Sequence, residues 1–148
     1  MYVSTKTYGH EIGLSCAFRQ WRAQSHCRLI HGYALKIHLE FEADELDERN
    51  WVVDFGSLKS FKQMLEDTFD HKLLVAQDDP KIDVLMNLHD EGLADIVVLP
   101  KAGCEAFAEY VYGAAETWLQ SNGYAPRVRM RRVEVHEHGA NSAAYVPS

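Results

Sequence analysis

The segment Leu35–Glu42 limits the folds open to this chain more than any other. Leu35, Ile37, Leu39 and Phe41 alternate with Lys36, His38, Glu40 and Glu42, the two-residue period of a strand with one face on a core and one in water. Such a strand belongs to an antiparallel sheet, because parallel strands are covered on both faces. A second alternation closes the chain. After Pro126, Val128, Met130 and Arg132 alternate with Arg127, Arg129 and Arg131, in a last strand expected to run to about Glu137. Arginines on a wet strand face are expected as cross-strand partners of Glu40 and Glu42.

The remaining elements follow from local pattern. Tyr2 to about Phe18 reads as one long strand, with Gly9 or Gly13 as the place for a bulge. A polar connection, Arg19 to Arg28, leads to the alternating strand, and the acidic stretch Glu42 to Asn50 is a turn. Trp51-Val52-Val53 reads as a short extended return ending at Asp54. Leu58, Phe61, Leu65 and Phe69 recur at helical spacing, with Ser57 or Asp54 as cap. A second helix is expected over Lys81–Glu91, with Ile82, Leu85 and Met86 inward and Gly92 ending it. Ile96–Leu99 is a short apolar strand. Phe107, Ala108, Val111, Ala114, Ala115, Trp118 and Leu119 form the apolar face of a third helix, stopped at Asn122-Gly123. Paired antiparallel strands with helices on one face make an α+β fold. The sheet edges of so small a chain call for other subunits to cover them.

Composition removes several classes of function. A length of 148 residues suits one domain, residues 1–148. With 22 acidic against 15 basic residues, a general nucleic-acid binder is not expected. No apolar run approaches the roughly 20 residues of a membrane span, and the opening MYVSTKTYGHE has no signal-peptide core, so a cytoplasmic protein away from membranes is expected. Cys16, Cys27 and Cys104 are odd in number and widely spaced, which argues against a disulfide framework.

Four places carry candidate chemistry. Cys27 has His26 beside it and Arg22 and Arg28 nearby, surroundings that favour a thiolate, although a surface cysteine near a turn has the same sequence. In Asp70-His71 the carboxylate can orient the imidazole as a general base; a histidine on a helix C-terminus reads identically. Glu137 lies between His136 and His138, and a strand places it on the opposite face from both. Pointed into a pocket, it can accept two hydrogen bonds from an amino-pyrimidinone ring edge; in water it is an ordinary strand glutamate. His136 and His138 alone are too few for a metal. The arginine strand is the fourth place, for which the cross-strand reading is preferred.

Taken in order, Cys27-x3-His31-Gly32, then Trp51-Val52-Val53-Asp54-Phe55 with Leu58 and Lys59, then Asp70-His71-x-Leu73, then Val135-x-Glu137, resemble the 6-pyruvoyl-tetrahydropterin synthase / 6-carboxytetrahydropterin synthase family over nearly the whole chain. The resemblance implies a tunnelling fold, in which three subunits close a barrel and two trimers stack into a hexamer. It implies dihydroneopterin triphosphate as substrate, with Glu137 anchoring the pterin ring and Cys27, Asp70 and His71 transferring protons. The reaction it implies is an internal redox change with elimination of triphosphate, a carbon–oxygen lyase chemistry, in pterin or deazapurine (queuosine-type) synthesis. Glu105 falls near a family Thr/Ser-x-Glu stretch.

The resemblance also implies a zinc held by three histidines, and here the sequence departs. The corresponding positions are Phe18, His31 and Tyr33, so His31 alone of the expected ligands is present. Cys16, on the face of Phe18, is a candidate replacement ligand. Tyr33 can donate a hydrogen bond and Arg19 can supply fixed positive charge toward substrate. Three readings follow: a zinc-poor enzyme of this type, a pterin- or purine-binding protein without the original reaction, and a related reaction on another purine-like substrate.

Overall fold

The computed structural model describes residues 1–148. Strands β1 (Tyr2–Tyr8), β2 (Leu14–Phe18), β3 (His31–Ala43), β4 (Lys72–Ala76), β5 (Ile96–Leu99), β6 (Val128–His138) and β7 (Asn141–Tyr145) form one seven-stranded sheet. Its order is β5-β4-β2-β3-β6-β7, with β1 also on β3. Helices α1 (Lys59–Phe69), α2 (Ile82–Asp90) and α3 (Cys104–Ser121) complete the fold.

The alternation in β3 does what its period requires. Leu35, Ile37, Leu39 and Phe41 are buried, and β3 pairs antiparallel with β1 and β2 along one side and β6 along the other. The expected single strand over Tyr2–Phe18 is two. Tyr8 pairs with Ile37 and Leu14 with Leu35, so residues 9–13, including a 3-10 turn at His10–Ile12, bulge out opposite Lys36.

Leu74 faces α1 and α3 in the main core, whereas Leu73 and Val75 pack with Leu85 of α2 on the opposite side of the sheet. The sheet is therefore mixed, with β4 parallel to β2 and β5. Trp51–Val53 is not a strand. Val52 and Val53 are buried, and Arg127 ties that stretch down by donating to the Trp51 and Val52 carbonyls. Asp54 supplies the expected cap, accepting from the Gly56 N–H at the 3-10 turn (Phe55–Leu58) that leads into α1. No helix is long and apolar enough to cross a membrane.

Phe107 of α3 is fully buried and meets Phe18 and Phe69 edge-on, with ring centroids 5.0 and 5.6 Å away. It joins α3 to both β2 and α1. Phe107→Ala is expected to cost about 3–5 kcal/mol, read as a lowered midpoint in urea unfolding.

Candidate functional site

The chemistry-bearing residues gather where β2 ends, β3 begins and β6 finishes. Phe18 pairs with His31 and Cys16 with Tyr33, so all four share the core-facing side of the sheet. Gly32 sits between them because a Cβ there would lie 2.8 Å from the Cys16 carbonyl oxygen.

Glu137 reaches this cluster through a change of phase in β6. Glu40 pairs with Arg132 but Phe41 with Met130, leaving Arg131 as an extra residue. Before it Val128 and Met130 are buried; after it Val133 and Val135 are. The bulge turns Arg132 to the outer face, against simple alternation, and carries the inward face on to Glu137. There the thiol of Cys104, first residue of α3, donates to Glu137 Oε1 at 3.6 Å. The Glu137 carboxylate, then desolvation, hold the Tyr33 phenol above its ordinary range. Burial, then the charge of Glu137, push the Cys104 thiol up to about 12. Glu137 thus stands between two groups that remain protonated donors at neutral pH.

A second irregularity, between His136 and His138, lies at Glu137 itself. His136 Nε2 turns outward to Glu134 Oε1 at 2.6 Å, while the His138 ring centroid is 5.9 Å from that of Tyr33. The two histidines therefore do not act as a pair. The arginines are cross-strand partners: Arg129 meets Glu42 at 2.9 Å, and Arg131 and Arg132 meet Glu40 at 3.5 and 3.6 Å.

Cys27 lies in a 3-10 turn (His26–Arg28) that buries none of its residues. Asp70 and His71 are elsewhere. Asp70 closes α1 and its Oδ1 lies 2.8 Å from His71 Nδ1, orienting the imidazole. The His71 N–H bonds the Ser15 carbonyl, and its side chain is 84% exposed. Gln20, beyond the far end of β2, holds the Cys27 carbonyl through its own N–H. At about 3.3 Å per residue, roughly 16 Å of chain separates the two anchor points, and the side-chain bond of His71 is to Asp70 rather than to the thiol.

Arg19 is committed to Asp79 at 2.9 Å and to the Arg28 carbonyl at 3.2 Å. Glu105 is exposed in the first turn of α3, where a carboxylate suits the helix N-terminus. The sequence reading missed Cys104. Its only signal was its place beside Glu105.

The donor set does not fit zinc. Phe18 offers no donor atom, the Tyr33 phenol is held protonated above its ordinary range, and His31 has Nδ1 on the Leu29 carbonyl at 2.7 Å, leaving one nitrogen. Cys16 shares the face, but burial pushes its thiol up to about 12. No three His, Cys, Asp or Glu side chains converge to hold a metal ion, and catalytic zinc takes about three protein ligands.

Comparison with known proteins gives one consistent result. The family model described as 6-pyruvoyl tetrahydropterin synthase matches residues 9–148. The 6-carboxy-5,6,7,8-tetrahydropterin synthase of Aquifex aeolicus is 24% identical over 136 residues, covering 90% of this chain and 83% of the relative. A crystal structure of a Wolinella succinogenes protein superposes with a TM-score of 0.83 at 20% identity, covering 99% and 98% of the two chains. A catalytic-residue mutant of Plasmodium vivax 6-pyruvoyltetrahydropterin synthase superposes with a TM-score of 0.68 at 15% identity, over 98% of each chain.

Proposed function

Because the chain belongs to the 6-pyruvoyl tetrahydropterin synthase family, we propose that it is a 6-carboxytetrahydropterin synthase-like lyase acting on dihydroneopterin triphosphate. The observation that carries this reading is the delivery of Glu137, by the β6 bulge, to the inward face beside Cys104 and near Tyr33. A half-buried carboxylate there can accept two N–H bonds from an amino-pyrimidinone edge. Cys27 then takes a proton from the substrate side chain and returns it to the pterin ring, and triphosphate leaves with the electron pair of its C–O bond, so no external hydride donor is needed. Tyr33, kept protonated by Glu137, is the neutral hydroxyl donor beside the ring.

The exposed Asp70–His71 pair serves the thiol of another copy, in a trimeric barrel that stacks to a hexamer. The free edges of β1, β5 and β7 support that assembly. Three unpaired cysteines suit a reducing cytoplasm. The product feeds deazapurine (queuosine-type) synthesis in this reading.

Glu137→Gln is expected to weaken pterin binding at least about a hundred-fold, since two charge-assisted hydrogen bonds at about 1.5–3 kcal/mol each are lost or reversed. Titration against tryptophan fluorescence reads this. Unchanged affinity removes the ring anchor and the reading with it.

The loss of two imidazole positions to Phe18 and Tyr33 favours a second reading, a zinc-free pterin- or purine-binding protein without the reaction. Tight binding that depends on Glu137 but not Cys27, with no turnover of dihydroneopterin triphosphate, selects it.

A further inference from the structure

Asp79 is the one charged residue among the buried side chains of this protein, its side chain 1% exposed. An acid in that position has to be fully partnered, because an unpaired buried charge is strongly destabilising. Its Oδ1 accepts the Lys81 N–H at 2.8 Å, and its Oδ2 accepts Arg19 Nε at 2.9 Å. The guanidinium does not stop there. Its second nitrogen donates to the carbonyl of Arg28, the residue after Cys27, at 3.2 Å. The adjacent Gln20 N–H holds the Cys27 carbonyl at 2.9 Å.

The neighbouring acid ties down the same loop. Trp21 Nε1 and Arg22 both donate to Asp78, at 3.2 and 3.3 Å, and the Arg22 guanidinium lies 4.0 Å over the Trp21 ring. Residues 21–30 bury no side chain fully, and Leu29 and Ile30 are exposed. Apolar packing therefore does not decide where this loop sits; its polar ties do. Among those ties the buried pair is the least screened by solvent, whereas Arg22 and Asp78 are largely exposed.

We propose that Asp79, acting through Arg19, is a positioning residue that latches the Cys27 loop to the end of β4. Asp79 touches no substrate. It fixes the fork of Arg19, and the fork fixes the main chain on the C-terminal side of the thiol. The role of the thiol in turnover rests on the proposed function; the latch itself does not.

The test uses the full-length protein and two variants. Asp79→Asn keeps shape and the acceptor for Lys81 but removes the charge opposite Arg19. Arg19→Lys keeps the charge but replaces a fork with a single ammonium, so the link to Arg28 is lost even if Asp79→Asn folds poorly. In both, amide exchange across residues 20–30 is expected to rise about ten-fold while α1 and α3 stay protected. The limiting rate of Cys27 alkylation by iodoacetamide at high pH, followed by peptide mass, is expected to rise several-fold. The double variant should be no worse than the worse single one, as for two parts of one device.

With dihydroneopterin triphosphate, kcat should fall about ten-fold with KM within two-fold, because Glu137 lies outside the loop. Exchange and alkylation both at wild-type levels in the two variants would overturn the latch. Both readouts need no pterin, so loosened loops in a protein without turnover support the latch and count only against the proposed reaction.

Discussion

Cys27→Ala is expected to lower turnover of dihydroneopterin triphosphate at least about a thousand-fold, within the range general acid–base groups contribute. The expected cost to stability is within about 0.5 kcal/mol, because the thiol stands half-buried in a 3-10 turn that buries none of its residues. The other two cysteines make the comparison informative. Cys16 and Cys104 are buried with thiols pushed up to about 12, so neither can replace Cys27 as a thiolate near neutral pH. His71→Ala is expected to be comparably inactive while its own Cys27 surroundings are untouched. Co-refolding the two dead variants should then restore a measurable part of the activity, since a mixed assembly can place an intact His71 against an intact Cys27. Full activity in Cys27→Ala, or no rescue in the mixture, would contradict the roles assigned to these residues.

What was legible beforehand depended on whether a segment has one buried face or two. β3, α1 and α3 show clean periods because each has a wet side: Lys36, His38, Glu40 and Glu42 mark the outer face of β3 as plainly as its leucines mark the inner. β4 has no wet side. Leu73, Leu74, Val75 and Ala76 are all buried, between α1 and α3 on one face and α2 on the other, and a run of four apolar residues carries no period to read. β7, Asn-Ser-Ala-Ala-Tyr, has little strand preference and is held by pairing with β6. Trp51–Val53 shows the opposite case, β-favouring residues kept irregular by Arg127.

The same reasoning covers the site. The chemical type of Cys27, Asp70, His71 and Glu137, and their order along the chain, are legible in the sequence. The company Glu137 keeps was not legible. It depends on one inserted residue, Arg131, that shifts the inward face of β6 from Met130 to Val133. Without that shift Cys104 would have no carboxylate to meet. Nor could spacing show that Asp79, sixty residues from Arg19, holds it at 2.9 Å.

The departure from the zinc site that the family resemblance implies is open to reversal by design. Phe18, His31 and Tyr33 form a triangle of rings with centroids 5.2, 5.4 and 6.0 Å apart, all on one face at the ends of two paired strands. His31 keeps the orientation of a ligand: Nδ1–H donates to the Leu29 carbonyl, which leaves Nε2 with the free lone pair. The double substitution Phe18→His and Tyr33→His is therefore expected to bind about one zinc per chain, while the wild-type protein purified without chelators carries less than about a tenth of that. Either single substitution supplies two imidazoles and should bind weakly.

A stability signature accompanies the metal. Phe18 is buried against Phe107, so its replacement by histidine should destabilise the metal-free double variant by about 2–4 kcal/mol. Because zinc binds the folded state alone, added zinc should raise the unfolding temperature of the double variant and leave the wild type unchanged. Elemental analysis and thermal unfolding with and without zinc read both effects. Stoichiometric zinc in the wild type would show that the donor set has been misjudged, and a double variant indifferent to zinc would show that the triangle of rings is not the remnant of a metal site.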